Sequence, residues 1–327
     1  MFHRLTFIAL GLIILSVAAQ AQTQPPRLRV LTLNVFIGTG EGSLDNVRFR
    51  RQAQHVAALN PDVICLQEVY DDRIITHYRR ALPGYSVLST RSSGPPLGTS
   101  IINAMSEAFN RFLSSNITGL TILFKQSALS RLPGGATLST TYDEQAIPED
   151  ADLSTTAGLQ FFQSIKPRGY LITDLRTAAG QHIVVANTHM ANGVRNPLRM
   201  QQVRQLHNAL SREFSPDVPA ILCGDTNSDG AQPDMRWLRE AGYGDALLLS
   251  YPDLASAPHK GFTWSADNAL THSGLLSEPD QRVDHIFLRP GDFQQYFVDS
   301  AHIVLDEIPL VSDHYGVVAD LVLGERF

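Results

Sequence analysis

Apolar residues fall along the chain in short, β-branched runs separated by longer amphipathic stretches. The runs are Leu28 to Val35, Asp62 to Leu66, Leu120 to Phe124, Tyr170 to Leu175, Ile183 to Asn187, Ala220 to Cys223, Val283 to Leu288 and Tyr315 to Leu323. Most are apolar at consecutive positions, which predicts strands covered on both faces. Between them, Asn196-Pro197 offers a cap and a first-turn proline, and Val203, Leu206, Leu210 and Phe214 then recur at helical spacing. Val47 to Leu59, Arg73 to Leu82 and Pro233 to Ala241, the last stopped by Gly242, predict further helices. The pattern implies an α/β (α+β) arrangement of sheets with helices on their outer surfaces. No internal repeat is visible, and no linker rich in Pro, Gly or Ser divides the chain, so one domain is the simplest organisation.

Two regions break this rhythm. Residues 1–21 run from His3 and Arg4 through an apolar stretch, Leu5 to Val17, to Ala19-Gln20-Ala21. That is the order of a secretory signal peptide, and the stretch is shorter than the ~20 residues a membrane span needs. Cleavage near Ala21 would leave residues 22–327 as the folded domain, secreted or periplasmic. The second irregular region is Arg91 to Ile165. There Ile101, Ile102, Met105, Ala108, Phe109, Phe112 and Leu113 form a narrow apolar stripe that predicts a helix packed on the core, with a lid or lipid-facing element as the alternative. Residues 136–160 carry few large apolar groups and read as a loop.

Composition narrows the class. With 327 residues, 43% hydrophobic and 18% charged, the chain can bury a full core. The net charge of −6, which becomes −7 once Arg4 is removed, weighs against nucleic acid or anionic membranes held by a basic patch. Arg50-Arg51 and Arg79-Arg80 fall in predicted helices and read as solvated faces. Cys65 and Cys223 lie inside apolar runs and read as buried free thiols.

Polar residues interrupt the apolar runs at regular places. Asn34 closes the first run, Glu68 the second, Thr188-His189 closes "HIVVANTH", and Asp225 with Asn227 closes "AILCGDTN". Asp284 stands near the start of "RVDHIF", and Ser312-Asp313-His314 just before "YGVVADLVL". If these last two strands run antiparallel to the others, all these positions meet at one edge. Asp225 and Asn227, two apart, point to the same side of an extended backbone. Taken singly, each residue has a plain use as a turn former or a satisfied core histidine. Together, Glu68, Asp225, Asp284 and Asp313 around one point require a cation or a protonated partner. Oxygen donors and imidazole without thiolate suit a hard divalent ion such as Mg2+, and phosphate chemistry is the natural use of such a site.

These motifs, "LTLNVF", "PDVICLQEVY", "NTHM", "GDTN", "RVDHIF" and "SDHYGV", stand in the order found in the endonuclease/exonuclease/phosphatase superfamily, which the whole mature chain resembles. The resemblance implies a deoxyribonuclease-like fold: a four-layer sandwich of two mixed, mainly antiparallel β-sheets flanked by helices, with a family-specific insertion around 91–160. "KPRGYLITDL", "PLRMQQVRQL" and "FTWSADNAL" are more similar to the magnesium-dependent neutral sphingomyelinases than to the repair nucleases. Thr226 stands where the family more often has an aromatic, and His285 where it has Tyr.

By the same resemblance, Glu68 is the main ligand of Mg2+ (or Mn2+ or another divalent ion), with Asn34 and Asp313 in or beside its shell. His314, oriented by Asp284, and Asp225 are the two candidates for the base. Asn227 would hydrogen-bond a phosphoryl oxygen, and His189 would stabilise the pentacovalent charge or the leaving group. Lys166 and Arg168 read as solvated charges, with a phosphate contact as the alternative, and Phe262 and Trp264 as core or rim aromatics. The function implied is a secreted phosphodiesterase acting on a phospholipid such as sphingomyelin, with transient membrane contact. A secreted nuclease is the alternative enzyme and a non-catalytic binding module the alternative class.

Overall fold

In the computed structural model, the described residues are 25–36, 42–90, 118–143, 168–192, 196–256, 261–271, 279–292 and 294–325. In chain order the strands are β1 (Arg27–Asn34), β2 (Val63–Gln67), β3 (Tyr85–Ser89), β4 (Thr121–Lys125), β5 (Leu129–Arg131), β6 (Thr137–Thr141), β7 (Gly169–Thr177), β8 (His182–His189), β9 (Ala220–Asp225), β10 (Gly244–Asp245), β11 (Asp284–Arg289), β12 (Gln294–Val304) and β13 (Gly316–Glu325). The helices are α1 (Gly42–Leu59), α2 (Asp72–Ala81), α3 (Asn196–Glu213), α4 (Pro233–Glu240) and α5 (Ala246–Ser250).

The strands form two mixed sheets. One has the order β12-β13-β1-β2-β4-β3; the other runs β10-β11-β9-β8-β7-β5, with β6 also paired to β7. β1 and β2 are parallel, as are β8 and β9, while β13 runs antiparallel to β1 and β11 antiparallel to β9. The inner faces share one core, in which Val30, Cys65, Ile122 and Val317 of the first sheet meet Leu175, Val185, Ile221 and Ile286 of the second. Both cysteines are free and buried there, as read from the sequence, and burial followed by the nearby Cys223 pushes the Cys65 thiol up.

Helices cover the outer faces because each carries one apolar stripe. Val203, Leu206, Leu210 and Phe214 of α3 and its C-terminal end pack with Met235 and Leu238 of α4 on the second sheet. Phe49, Ala53 and Val56 of α1 and Ile74, Ile75 and Tyr78 of α2 cover the first. Asp71 caps α2 by accepting from the Arg73 backbone N–H at 2.8 Å, and Arg79 and Arg80 in its last turn oppose the helix dipole. Pro233 opens α4, and Gly242, at φ +92°, follows its end.

All eight apolar runs are strands. Thr137–Thr141, inside the stretch read as a loop, is instead strand β6: its polar side chains sit on an edge, where backbone pairing with β7 needs no apolar pattern. Residues 1–24, the stripe at 101–113, Lys166 and 144–160 lie outside the described residues. Among the described residues, no helix is long and apolar enough to cross a membrane.

Candidate active site

The two parallel strand pairs bring four strand ends to one edge of the sandwich. Asn34 ends β1 and Glu68 follows β2; His189 and Asp225 end β8 and β9 and are register partners. Asp284 opens β11 and is the antiparallel register partner of Asp225. His314 precedes β13, which runs antiparallel to β1. The backbone is strained at this edge: Phe36, Glu68 and Asn227 have φ of 52°, 61° and 49°. Asparagine tolerates that region; for Glu68 and Phe36 it costs about 1 kcal/mol or more, held by the surrounding structure. At Gly224, φ +150°, an added Cβ would lie 2.1 Å from the Thr188 carbonyl oxygen, so glycine is what lets β9 approach β8.

Neighbouring side chains fasten the loops. Arg48 of α1 donates through Nη1 to the carbonyls of Val35 (2.8 Å) and Val311 (2.9 Å), and Gln52 donates to the same two. Ser312 Oγ donates to Asn34 O at 2.6 Å, and Asn268 donates to Ser312 O. The hydroxyl oxygen of Thr263 accepts from the backbone N–H groups of Val283 and Asp284, both at 3.0 Å.

Asp225 is the hub of the site. Its Oδ2 accepts from Asn34 Nδ2 at 3.0 Å and lies 3.2 Å from His189 Nε2 and 3.8 Å from His314 Nε2, while its Oδ1 accepts from the Asn227 backbone N–H at 2.8 Å. His314 Nδ1 is 2.8 Å from Asp284 Oδ2. His189, Asp225, Asp284 and His314 are all buried. Burial alone would raise Asp225, but His189 and His314 beside it hold its carboxyl well below the usual range. Burial likewise opposes the charged form of His314, yet Asp284 and Asp225 push it up to about 10. His189 goes the other way, down to about 4, first through burial and then through the Arg168 cation. Burial raises Asp284. Two histidines on one carboxylate are thus driven to opposite protonation states.

Asn34, His189, Asp225, Asn227, Asp284 and His314 are therefore joined in one hydrogen-bonded and charge-paired set. Glu68, half-buried, acts electrostatically on His189, and Asp313, buried, on His314. Asn227 is half-buried, and its amide Nδ2 donates to Met190 O at 2.9 Å.

Arg168 departs from its reading as a solvated charge. It is 5% exposed, and Nη1 lies 2.6 Å from His189 Nδ1 and also touches Nε2. The sequence signal that places it is strand register: counted back from the β7–β8 turn, His189 pairs with Gly169, so Arg168 adjoins it. Trp264 is half-buried at the rim, its ring 5.0 Å from that of His314 and nearly edge-on to it. Thr226 and His285 are buried structural groups, bonded to Ser228 and Val283 carbonyls and to Ser228 O respectively.

Asp225, Asp284 and His314 bring ligand-capable atoms within 4.8 Å of one another. Within this trio both ring nitrogens of His314 face carboxylates, Nδ1 at 2.8 Å from Asp284 and Nε2 at 3.8 Å from Asp225, an arrangement that suits acid–base work. The Glu68 and Asp313 carboxylates and the Asn34 amide oxygen at this edge are hard oxygen donors of the kind that suit a divalent ion such as Mg2+. Asn34 Oδ1 accepts from Phe36 N–H at 3.1 Å, and a carbonyl oxygen has a second lone pair.

The model of the Endonuclease/Exonuclease/phosphatase family matches residues 31–314. No curated protein matches the chain in sequence at a significant level. Among solved structures, D. rerio TDP2 complexed with a single-strand DNA product superposes with a TM-score of 0.63 at 18% identity, covering 90% of this chain and 98% of that one. An endonuclease/exonuclease/phosphatase family protein from Bacteroides thetaiotaomicron gives 0.61 at 18% identity, over 92% and 99%. TDP2 from C. elegans gives 0.60 at 16%, over 92% and 77%. At such identities the likeness concerns the fold, and it agrees with the sandwich expected from the sequence.

Proposed function

The chain belongs to the endonuclease/exonuclease/phosphatase family, and from that premise we propose that it is a divalent-metal-dependent phosphodiesterase. The observation that supports this reading is the buried set centred on Asp225, whose Oδ2 lies 3.2 Å from His189 Nε2 and 3.8 Å from His314 Nε2, with Asp284 2.8 Å from the other nitrogen of His314. Glu68 would be the principal ligand of the ion, with Asn34 and Asp313 beside it. When bound, a divalent ion neutralises a phosphoryl oxygen and the charge developing on the leaving oxygen.

The protein's own groups divide the remaining work. Asp225, oriented by Asn34, His189 and the Asn227 N–H, takes the proton of the attacking water. His314, held by Asp284 and charged at neutral pH, is positioned to return a proton to the leaving oxygen, which favours Asp225 over His314 as the base. His189, neutral, would donate an N–H to a phosphoryl oxygen on which charge builds, and the second amide hydrogen of Asn227 can do the same.

The substrate class follows from weaker arguments. A chain at −6, or −7 without residues 1–21, has no general surplus of cations with which to neutralise several phosphates at once. Together with the sphingomyelinase-like motifs, this favours a phospholipid phosphodiester met outside the cytoplasm after export. A second reading, hydrolysis of DNA, is favoured by the fold shared with a TDP2 bound to a DNA product. Phosphocholine release from sphingomyelin vesicles and nicking of plasmid, measured with Mg2+ at equal enzyme concentration, separate the two. Faster lipid turnover is expected; efficient plasmid degradation without lipid turnover would replace the phospholipid by DNA.

A further inference from the structure

Between the apolar core and the site lies a buried pair of amides that the reaction above does not use. Val63 and Cys65 of β2 and Ile183 and Val185 of β8 point into the core shared by the two sheets, and the next residues on the same faces are Gln67 and Asn187. Both are fully buried. Asn187 Nδ2 donates across the gap to the carbonyls of Leu66 at 2.9 Å and Thr121 at 3.0 Å, the register pair that ends the β2–β4 ladder. Its Oδ1 accepts from Gln67 Nε2 at 2.8 Å. Backbone carbonyls can only accept, so they fix which end of the Asn187 amide faces them, and its oxygen in turn requires the nitrogen of Gln67.

Stability is a poor account of this pair. Gln67 Oε1 is buried without a hydrogen-bond partner among the described residues, a cost that an apolar side chain of the same length would avoid. What amides supply and apolar groups do not is direction: apolar burial tolerates sliding of one sheet over the other, whereas hydrogen bonds fix their relative position. The residues one step nearer the edge depend on that position. Asn34, the register partner of Gln67, and Glu68, which follows it, belong to the first sheet. His189, two beyond Asn187, and its register partner Asp225 belong to the second. We propose that Gln67 and Asn187 are positioning residues, an amide clamp between the sheets that sets the distance from Asn34 and Glu68 to Asp225 and His189. Its effect on turnover rests on the phosphodiesterase reading; the placement of the sheets does not.

Side-chain NH2 signals of the full-length, chelated protein, assigned by through-bond correlation, report the clamp directly. In wild type those of Gln67, Asn187 and Asn34, the last bonded to Asp225 Oδ2 at 3.0 Å, should exchange slowly with water. Exchange of Gln67 and Asn187 as fast as that of exposed amides would overturn the proposal without any variant having to fold. Gln67→Met should keep the urea midpoint near wild type yet speed exchange at Asn34. On bis(p-nitrophenyl) phosphate with saturating Mg2+ it should lower kcat roughly 10–100-fold at nearly constant KM, as a small misplacement of reacting groups does. Adding Asn187→Leu should lower kcat little further, because the two residues act as a unit. Val185→Ala, a cavity in the apolar row of β8, should lower the urea midpoint and keep kcat. A kcat that follows the urea midpoint across these variants, or an Asn34 amide as protected in Gln67→Met as in wild type, would reduce the pair to core packing and overturn the proposal. A wild type inert toward phosphodiesters with any divalent ion would remove the phosphodiesterase reading, and the Asn34 exchange alone would then decide whether the clamp stands.

Discussion

His314 is buried between Asp284 and Asp225, and its chemistry follows from that placement. Its folded-state value of about 10 lies above the ordinary 6.5, so it contributes stability that is fully present below pH 6.5. That contribution is lost as pH rises toward 10. Urea midpoints of the chelated protein should fall between pH 7 and 10, and His314→Gln should flatten that slope while lowering stability overall, because Asp284 then loses its partner. An equal slope in the variant would mean that other groups carry it. Most of these residues were legible in the sequence because each ends or opens an apolar run. Arg168 was not: "KPRG" looks solvated, and only the β7–β8 register brings its guanidinium to His189.

Strands covered on both faces were legible as apolar runs, whereas every strand that escaped the pattern belongs to a sheet edge. β12, β3, β10, β5 and β6 have neighbours on one side only or pair at the sheet's rim, so polar side chains are tolerated and the pattern fades. The 11-residue β12 shows it best, with exposed and half-buried positions throughout "QQYFVDSAHIV". What the edges lack in pattern the central strands supply in register, and Gly224 is where that can be tested. Gly224→Ala places a methyl against the Thr188 carbonyl, forcing β9 from β8 and Asp225 from His189. Overpacking of this kind costs about 1–3 kcal/mol, and turnover should collapse with it. Gly242→Ala, also at positive φ but with open space around the new Cβ, should lose about 1 kcal/mol and keep kcat. Equal kcat in the two variants, compared at matched folded fraction, would show that the β8–β9 approach does not set the site.

At the scale of the molecule, two sheets share one core and present their functional groups at a common edge: Asn34 from the first meets Asp225 from the second. Neither sheet alone carries the site, which is why distant motifs had to be read together. Helix α1 ties this edge shut, since Arg48 and Gln52 bind the carbonyls of both Val35 and Val311. The stretch read as a signal peptide and the apolar stripe at 101–113 lie outside the described residues. We propose this edge as a metal-dependent phosphodiesterase site with Glu68 as the principal ligand. Hydrolysis of bis(p-nitrophenyl) phosphate before chelation, after chelation and after Mg2+ is restored, beside Glu68→Gln, tests it most directly. Turnover should fall by orders of magnitude on chelation, return with Mg2+, and stay low in Glu68→Gln, which keeps the side chain's shape and loses its charge. Turnover that survives chelation unchanged, or a Glu68→Gln protein as active as wild type, would contradict it.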